Sequence, residues 1–162
     1  LGLVVCGRDS AYIERDDAAF VEEAEIYYAR LAVVDDLTAV TDDVLKLAVY
    51  DFADAESTAA GLFGPLSTTH QVVVSGKHWI DIMDPTANKG RALRQLQQVT
   101  GITPAQTAVF GDYLNDLELF DAADLSFATA NAHPQVRARA RHLAPANHER
   151  GVVTVLSHLL GI

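Results

Sequence analysis

The alternation of apolar and polar positions divides the chain into an irregular first stretch and a second stretch in which helices and strands take turns. The opening run "LGLVV" is β-like, and in "DDAAFVEEAEIYYARL" residues Phe20, Val21, Ala24, Tyr27, Tyr28 and Leu31 recur near helical spacing, which predicts a helix. "LKLAVYD" predicts a strand. "DAESTAAGLFG" predicts a short helix stopped by Gly64 and Pro65, and "HQVVVSGKHWIDIM" a hairpin turning at Ser75-Gly76. Strand, helix and hairpin in that order make a small α+β unit.

From Asn88 onward the pattern changes. "NKGRALRQLQQVTG" predicts a helix with Leu93, Leu96 and Val99 on one face, Asn88 as its N-cap and Gly101 at its end. "TAVF" is a short buried strand, and the helix expected after the next turn carries Leu114, Leu117 and Phe120. "LSFA" and "HLA" are further short strands, separated by a helix from near Pro134. A closing helix places Val152, Val155, Leu156, Leu159 and Leu160 at the spacing of an amphipathic face. Helices alternating with short apolar strands imply a parallel sheet, so the fold class is α/β. The expected division is residues 1–85 as an α+β unit, whose first strand could equally be a remnant of the sheet domain, and residues 86–162 as part of a parallel-sheet core. No internal repeat or low-complexity segment interrupts either.

Composition narrows the function. A chain of 162 residues with 49% apolar and 21% charged content can bury a real core, as one domain or two small ones. Its formal charge of −10 argues against a nucleic-acid partner, because phosphate backbones are held by clustered Lys and Arg. No apolar run reaches the roughly 18 residues needed to cross a bilayer. Cys6 is the only cysteine, so no internal disulfide can form, and a cytoplasmic address is expected. Because the chain starts at Leu1 and its one methionine is Met83, an N-terminal part is expected to be missing.

The chemistry concentrates in "GDYLND", residues 111–116, directly after the "TAVF" strand. Open parallel sheets bind ligands outside the carboxyl ends of their strands, and Asp112 falls one residue past such an end. Gly111 permits a sharp turn there. Carboxylates gathered at one strand end repel each other unless a cation joins them, and Mg²⁺ takes one or two carboxylates plus water and phosphate oxygens. Lys89 stands in the first turn of its helix, where the macrodipole disfavours a cation unless an anion is shared. A Lys at a helix start, an Asp at a strand end and Asn115 beside it describe a phosphoryl site.

These segments, with "FATANAHPQVRARA" and "NHERGVVTVL", resemble the C-terminal half of the haloacid dehalogenase (HAD) superfamily, and within it the Cof-type phosphatases with an inserted α/β cap. GDxxND is a strong signal when paired with a Lys about twenty residues upstream. The resemblance implies that residues 1–85 are the cap, that Lys89 neutralises the transferred phosphoryl group, and that Asp112 and Asp116 hold Mg²⁺, Asp116 directly or through water. It places Asn115 near the phosphate or among the groups just outside the metal's own ligands; Asn131, which follows a short strand, is expected at the border of the site. It also implies an aspartyl-phosphate mechanism needing a D-x-D pair, and no two aspartates here are separated by one residue. The expectation is therefore a truncated phosphatase of small phosphorylated metabolites, such as sugar phosphates, inactive by itself. Its short core sheet should have an exposed edge that pairs with the missing N-terminal segment or with a second copy.

Plainer roles stay open for each residue. Asp112 and Asp116 could be a solvated helix start, Lys89 a surface lysine, and Asn115 or Asn131 a helix N-cap. Lys77, His78 and Trp79 could reach a substrate from the hairpin, or Trp79 could be core. The six histidines show no metal-ligand spacing. A noncatalytic binding module and the phosphorylation domain of a cation-pumping ATPase are the alternative functions.

Overall fold

Six strands of the first half pair into one sheet. They are β1 (Gly2–Gly7), β2 (Ala11–Ile13), β3 (Leu31–Val33), β4 (Val44–Tyr50), β5 (Gln71–Gly76) and β6 (Trp79–Met83), in the spatial order β3-β2-β1-β4-β6-β5. All 162 residues are described in this computed structural model, and they divide into two units, Leu1–Pro85 and Thr86–Ile162. Within the first sheet only β2 and β3 run parallel; the other pairs are antiparallel. Strand β1 sits between β2 and β4, so the opening segment belongs to this sheet and is no remnant of the other one.

Helix α1 (Ala18–Glu25) covers one face, with Phe20 fully buried. It lies so close that a Cβ on Gly2 would come within 2.1 Å of the Phe20 ring. The helix stops before Tyr27 and Tyr28, earlier than the periodicity predicts. Those two rings instead pack edge-on against Trp79, with centroids 5.5 and 6.3 Å away. Trp79 is therefore core, joined to Val4, Cys6, Ile13 and Tyr50. Burial pushes the Cys6 thiol above its ordinary pKa, and its sulfur lies 3.3 Å from the Tyr28 hydroxyl.

Two boundaries differ from expectation. The hairpin turns at Lys77-His78 rather than Ser75-Gly76, because the register shifts between Val74 and Gly76 and Gly76 pairs with Trp79. Lys77 is exposed, and the His78 ring is bonded to the Asp51 carbonyl at 2.8 Å. After α2 (Ala55–Thr58) the backbone does not stop at Gly64 and Pro65. It widens into a π-type turn over Ala59–Phe63 and tightens into a 3₁₀ turn over Gly64–Thr68, where Pro65 occupies an early position that needs no N–H donor.

The second unit is built on three parallel strands, β7 (Ala108–Gly111), β8 (Leu125–Thr129) and β9 (His142–Ala144), with β8 central. Strand β7 has a neighbour on one side only, so its other edge is open. Helix α3 (Lys89–Thr100) begins where the Asn88 side chain accepts the Arg91 N–H at 2.7 Å, and ends at Gly101 in the left-handed region, φ 70°. Its inward face is not the predicted one. Gly90 and Gln97 are buried and Leu93 is half-buried, whereas Leu96 and Val99 are 59% and 87% exposed. Gln97 turns inward because its amide bonds the Thr107 hydroxyl and the Ala122 carbonyl, at 3.0 and 2.8 Å.

Leu114, Leu117 and Phe120 lie on a 3₁₀ segment, Leu114–Ala122, rather than on an α-helix. Their three-residue spacing suits that winding, which has three residues per turn. All three pack into the core with Val109, Ala128 and Val136, the last from helix α4 (Pro134–Arg139). In helix α5 (Gly151–Leu160) only Val152 and Val155 of the expected apolar face are half-buried; Leu156, Leu159 and Leu160 are exposed. No helix is long and apolar enough to cross a membrane.

Helix α3 meets the 3₁₀ segment main chain to main chain, since a Cβ on Gly90 would lie 2.1 Å from the Glu118 carbonyl oxygen. Backbone cannot swing aside as a side chain can. Gly90→Ala is therefore expected to destabilise the second unit by about 1–3 kcal/mol, read as a lower denaturant midpoint with an unchanged m-value.

Candidate active site

Strand β7 delivers its last residue, Gly111, to the carboxyl edge of the parallel sheet, and the chain turns at once into the 3₁₀ segment. The turn closes on Asp116. A Cβ on Gly111 would fall 2.6 Å from the Asp116 Cβ, so the contact requires a glycine. One carboxylate oxygen of Asp116, Oδ2, accepts the backbone N–H groups of Asp112 and Tyr113 at 3.0 and 3.4 Å. The other, Oδ1, receives the Lys89 ammonium at 2.5 Å.

Burial makes this arrangement obligatory. The Asp116 side chain is 6% exposed, and an ionised carboxylate withdrawn from water costs several kcal/mol unless its lone pairs are satisfied. Two N–H donors and an ammonium satisfy them. Lys89 gains as well, because the helix start that would repel its charge is offset by the carboxylate opposite. Its side chain is half-exposed, so the ammonium is fixed from one side and open on the other.

Asp112 stands differently. Its side chain is exposed and makes no hydrogen bond or ion pair within the protein, while its carbonyl accepts the His133 N–H at 2.9 Å. The Tyr113 and His133 rings lie with centroids 5.7 Å apart, tilted by 58° to one another. Asn115 is half-buried in the first turn of the 3₁₀ segment, beside Asp116. The structure thus brings Lys89, Asp112, Asn115 and Asp116 to one turn, in two conditions. Asp116 is committed to Lys89 and the backbone, and Asp112 is left with free oxygens.

Asn131 lies on the neighbouring loop, after β8. Its amide pairs reciprocally with Asn147, a residue that sequence reasoning did not single out: Nδ2 donates to the Asn147 Oδ1 at 3.1 Å, and Oδ1 accepts the Asn147 N–H at 3.0 Å. Only the Asn in "NHERG" hinted at it. Thr129, at the end of β8, is 4% exposed and its hydroxyl has no partner.

No group of three or more His, Cys, Asp or Glu side chains is placed to enclose a metal ion. What the turn offers a cation is the exposed Asp112 carboxylate, with Asp116 adjacent. Hard oxygen donors in that number fit Mg²⁺, which keeps water and phosphate oxygens in most of its positions, and do not fit an all-protein cage.

The family described as haloacid dehalogenase-like hydrolase matches residues 1–156. The 5-amino-6-(5-phospho-D-ribitylamino)uracil phosphatase of Escherichia coli is 34% identical over 161 residues, which is 98% of this chain and 59% of that protein. The HMP-PP phosphatase of Cronobacter sakazakii is 34% identical over 97 residues, 59% of this chain and 36% of that one. Among solved structures, SMU.1108c from Streptococcus mutans superposes with a TM-score of 0.89 at 26% identity, covering 99% of this chain and 62% of its own. The chain therefore spans about three-fifths of the length of the E. coli relative and of that structure. With a match over nearly its whole length and the Lys89–Asp116 turn in place, the chain belongs to the haloacid dehalogenase-like hydrolase family.

Proposed function

We propose that this chain is the cap-and-C-terminal-core portion of a Mg²⁺-dependent phosphatase of small phosphorylated metabolites. The observation that carries the proposal is the junction of Lys89 and Asp116 at 2.5 Å, one turn from the unpartnered Asp112 carboxylate, at the carboxyl end of a parallel strand. Phosphoryl transfer asks the protein chiefly for positioning and charge neutralisation. A half-open ammonium held by a buried carboxylate supplies the positive charge at a fixed point. Asp112, with Asp116 behind it, would hold the metal. Bound there, Mg²⁺ would neutralise the phosphoryl oxygens. Asn115 is left free to bond a substrate oxygen.

The attacking carboxylate is not among these residues. The chain has no D-x-D pair, so in this proposal the nucleophile belongs to a segment of the complete protein outside these 162 residues. The substrate class rests on the relatives, one named for a phosphorylated ribitylamino-uracil and another for HMP-PP. A sugar-phosphate-like monoester is the class to test first.

The complete protein should hydrolyse p-nitrophenyl phosphate with Mg²⁺, lose turnover with EDTA, and regain it when the metal is restored. Asp112→Asn should remove at least about 10²-fold of the rate without altering the unfolding midpoint, since its side chain bonds nothing in the protein. Metal-independent turnover, or a fully active Asp112→Asn variant, would refute the assignment.

Lys89→Met should act on both rate and stability. Turnover should fall by about 10²-fold or more, and the second unit should lose about 1–2 kcal/mol, a value reduced from that of a buried pair because the ammonium is half in water. Steady-state kinetics and urea unfolding measure the two effects separately.

A further inference from the structure

Two loops meet beside Asp112, and one of them is far more constrained than its exposure suggests. In the loop from β9 to α5, a Cβ on Gly151 would lie 1.8 Å from the Pro145 carbonyl oxygen. The Glu149 carboxylate accepts the Ala146 N–H at 3.0 Å, and Arg150 is the one non-glycine residue with a positive φ, 58°. A left-handed arginine persists only where its surroundings fix it. The Asn147 N–H and side chain project from this loop to Asn131, while Asn147 Oδ1 also accepts the His148 N–H at 2.7 Å.

The second loop carries that constraint to the site. Asn131 is the third residue of the turn Thr129–Ala132, in which the Ala132 N–H is held by the Thr129 carbonyl, and the next amide, the His133 N–H, is held by the Asp112 carbonyl, both at 2.9 Å. We infer that Asn147 is a positioning residue: through its reciprocal amide pair with Asn131, the rigid β9–α5 loop fixes the His133 N–H and so the backbone of Asp112. Its consequence for turnover rests on the phosphatase proposal, whereas its structural content does not.

The bonding pattern makes the substitutions unequal. Asn147→Ala removes the Oδ1 acceptor but keeps the backbone donor. Asn131→Ala removes both bonds. Asn147→Asp keeps an acceptor for the Asn131 Nδ2, whereas Asn131→Asp loses that donor and sets a carboxylate against the Asn147 Oδ1.

The test is amide hydrogen exchange on this chain, followed by NMR at His133. Protection of that amide should fall roughly threefold in Asn147→Ala and about tenfold in Asn131→Ala, and recover in Asn147→Asp but not in Asn131→Asp. Amides of β7 and β8 should be unaffected. In the complete protein, the Mg²⁺ concentration giving half-maximal turnover should rise in the same order while the limiting rate changes little. Unchanged His133 exchange in both alanine variants overturns the inference. So does a loss of protection spread evenly over the second unit, which would mark a merely structural pair. If the wild-type protein hydrolyses no phosphate ester, the functional proposal fails and the exchange result still decides this one.

Discussion

A single carboxylate that cannot reach water organises the second half of this molecule. The Asp116 carboxyl group is nearly enclosed, so its oxygens must be met by donors, and the donors they find are the backbone of its own turn and the ammonium of Lys89. Satisfying one charge therefore joins β7 to the start of α3, although 26 residues separate Lys89 from Asp116. The same act sets the two acids apart: the buried one is bonded within the protein, and Asp112, four positions earlier, has an exposed side chain that bonds nothing in it.

This division of labour also gives the position of Lys89 a second meaning. A cation at a helix start points to an anionic partner, and the protein supplies one in Asp116. The ammonium is nonetheless half-exposed, so that partner orients it without covering it. A group held in this way loses little freedom when a ligand arrives, which is the condition under which fixed charges act most strongly.

The parts of the fold and site that local sequence governs were legible in it. Asn88 and Gly101 mark the two ends of α3 because capping is decided within a few residues, and GDYLND announced its turn through a glycine and the carboxylates after it. What escaped depended on distant partners. Leu96 and Val99 have the spacing of a buried face, but the inward position went to Gln97, because the Thr107 hydroxyl and the Ala122 carbonyl needed a donor. The strands β2 and β3 span three residues each, too short to show a period. Helix α1 gives up its last predicted turn because Trp79, from another strand, recruits Tyr27 and Tyr28. Asn147 escaped for the same reason: its meaning lies in Asn131, on another loop.

Gly90 deserves its place one residue after Lys89. Because α3 rests on the Glu118 carbonyl through bare backbone, the height of the helix start that carries Lys89 is set by two main chains, and the Lys89 side chain reaches Asp116 from that fixed base. The remaining surface of α3 faces water over most of its length and can change its side chains without carrying Lys89 along. Mutational drift on that outer surface is thereby uncoupled from the one coordinate that the charge at its tip must keep.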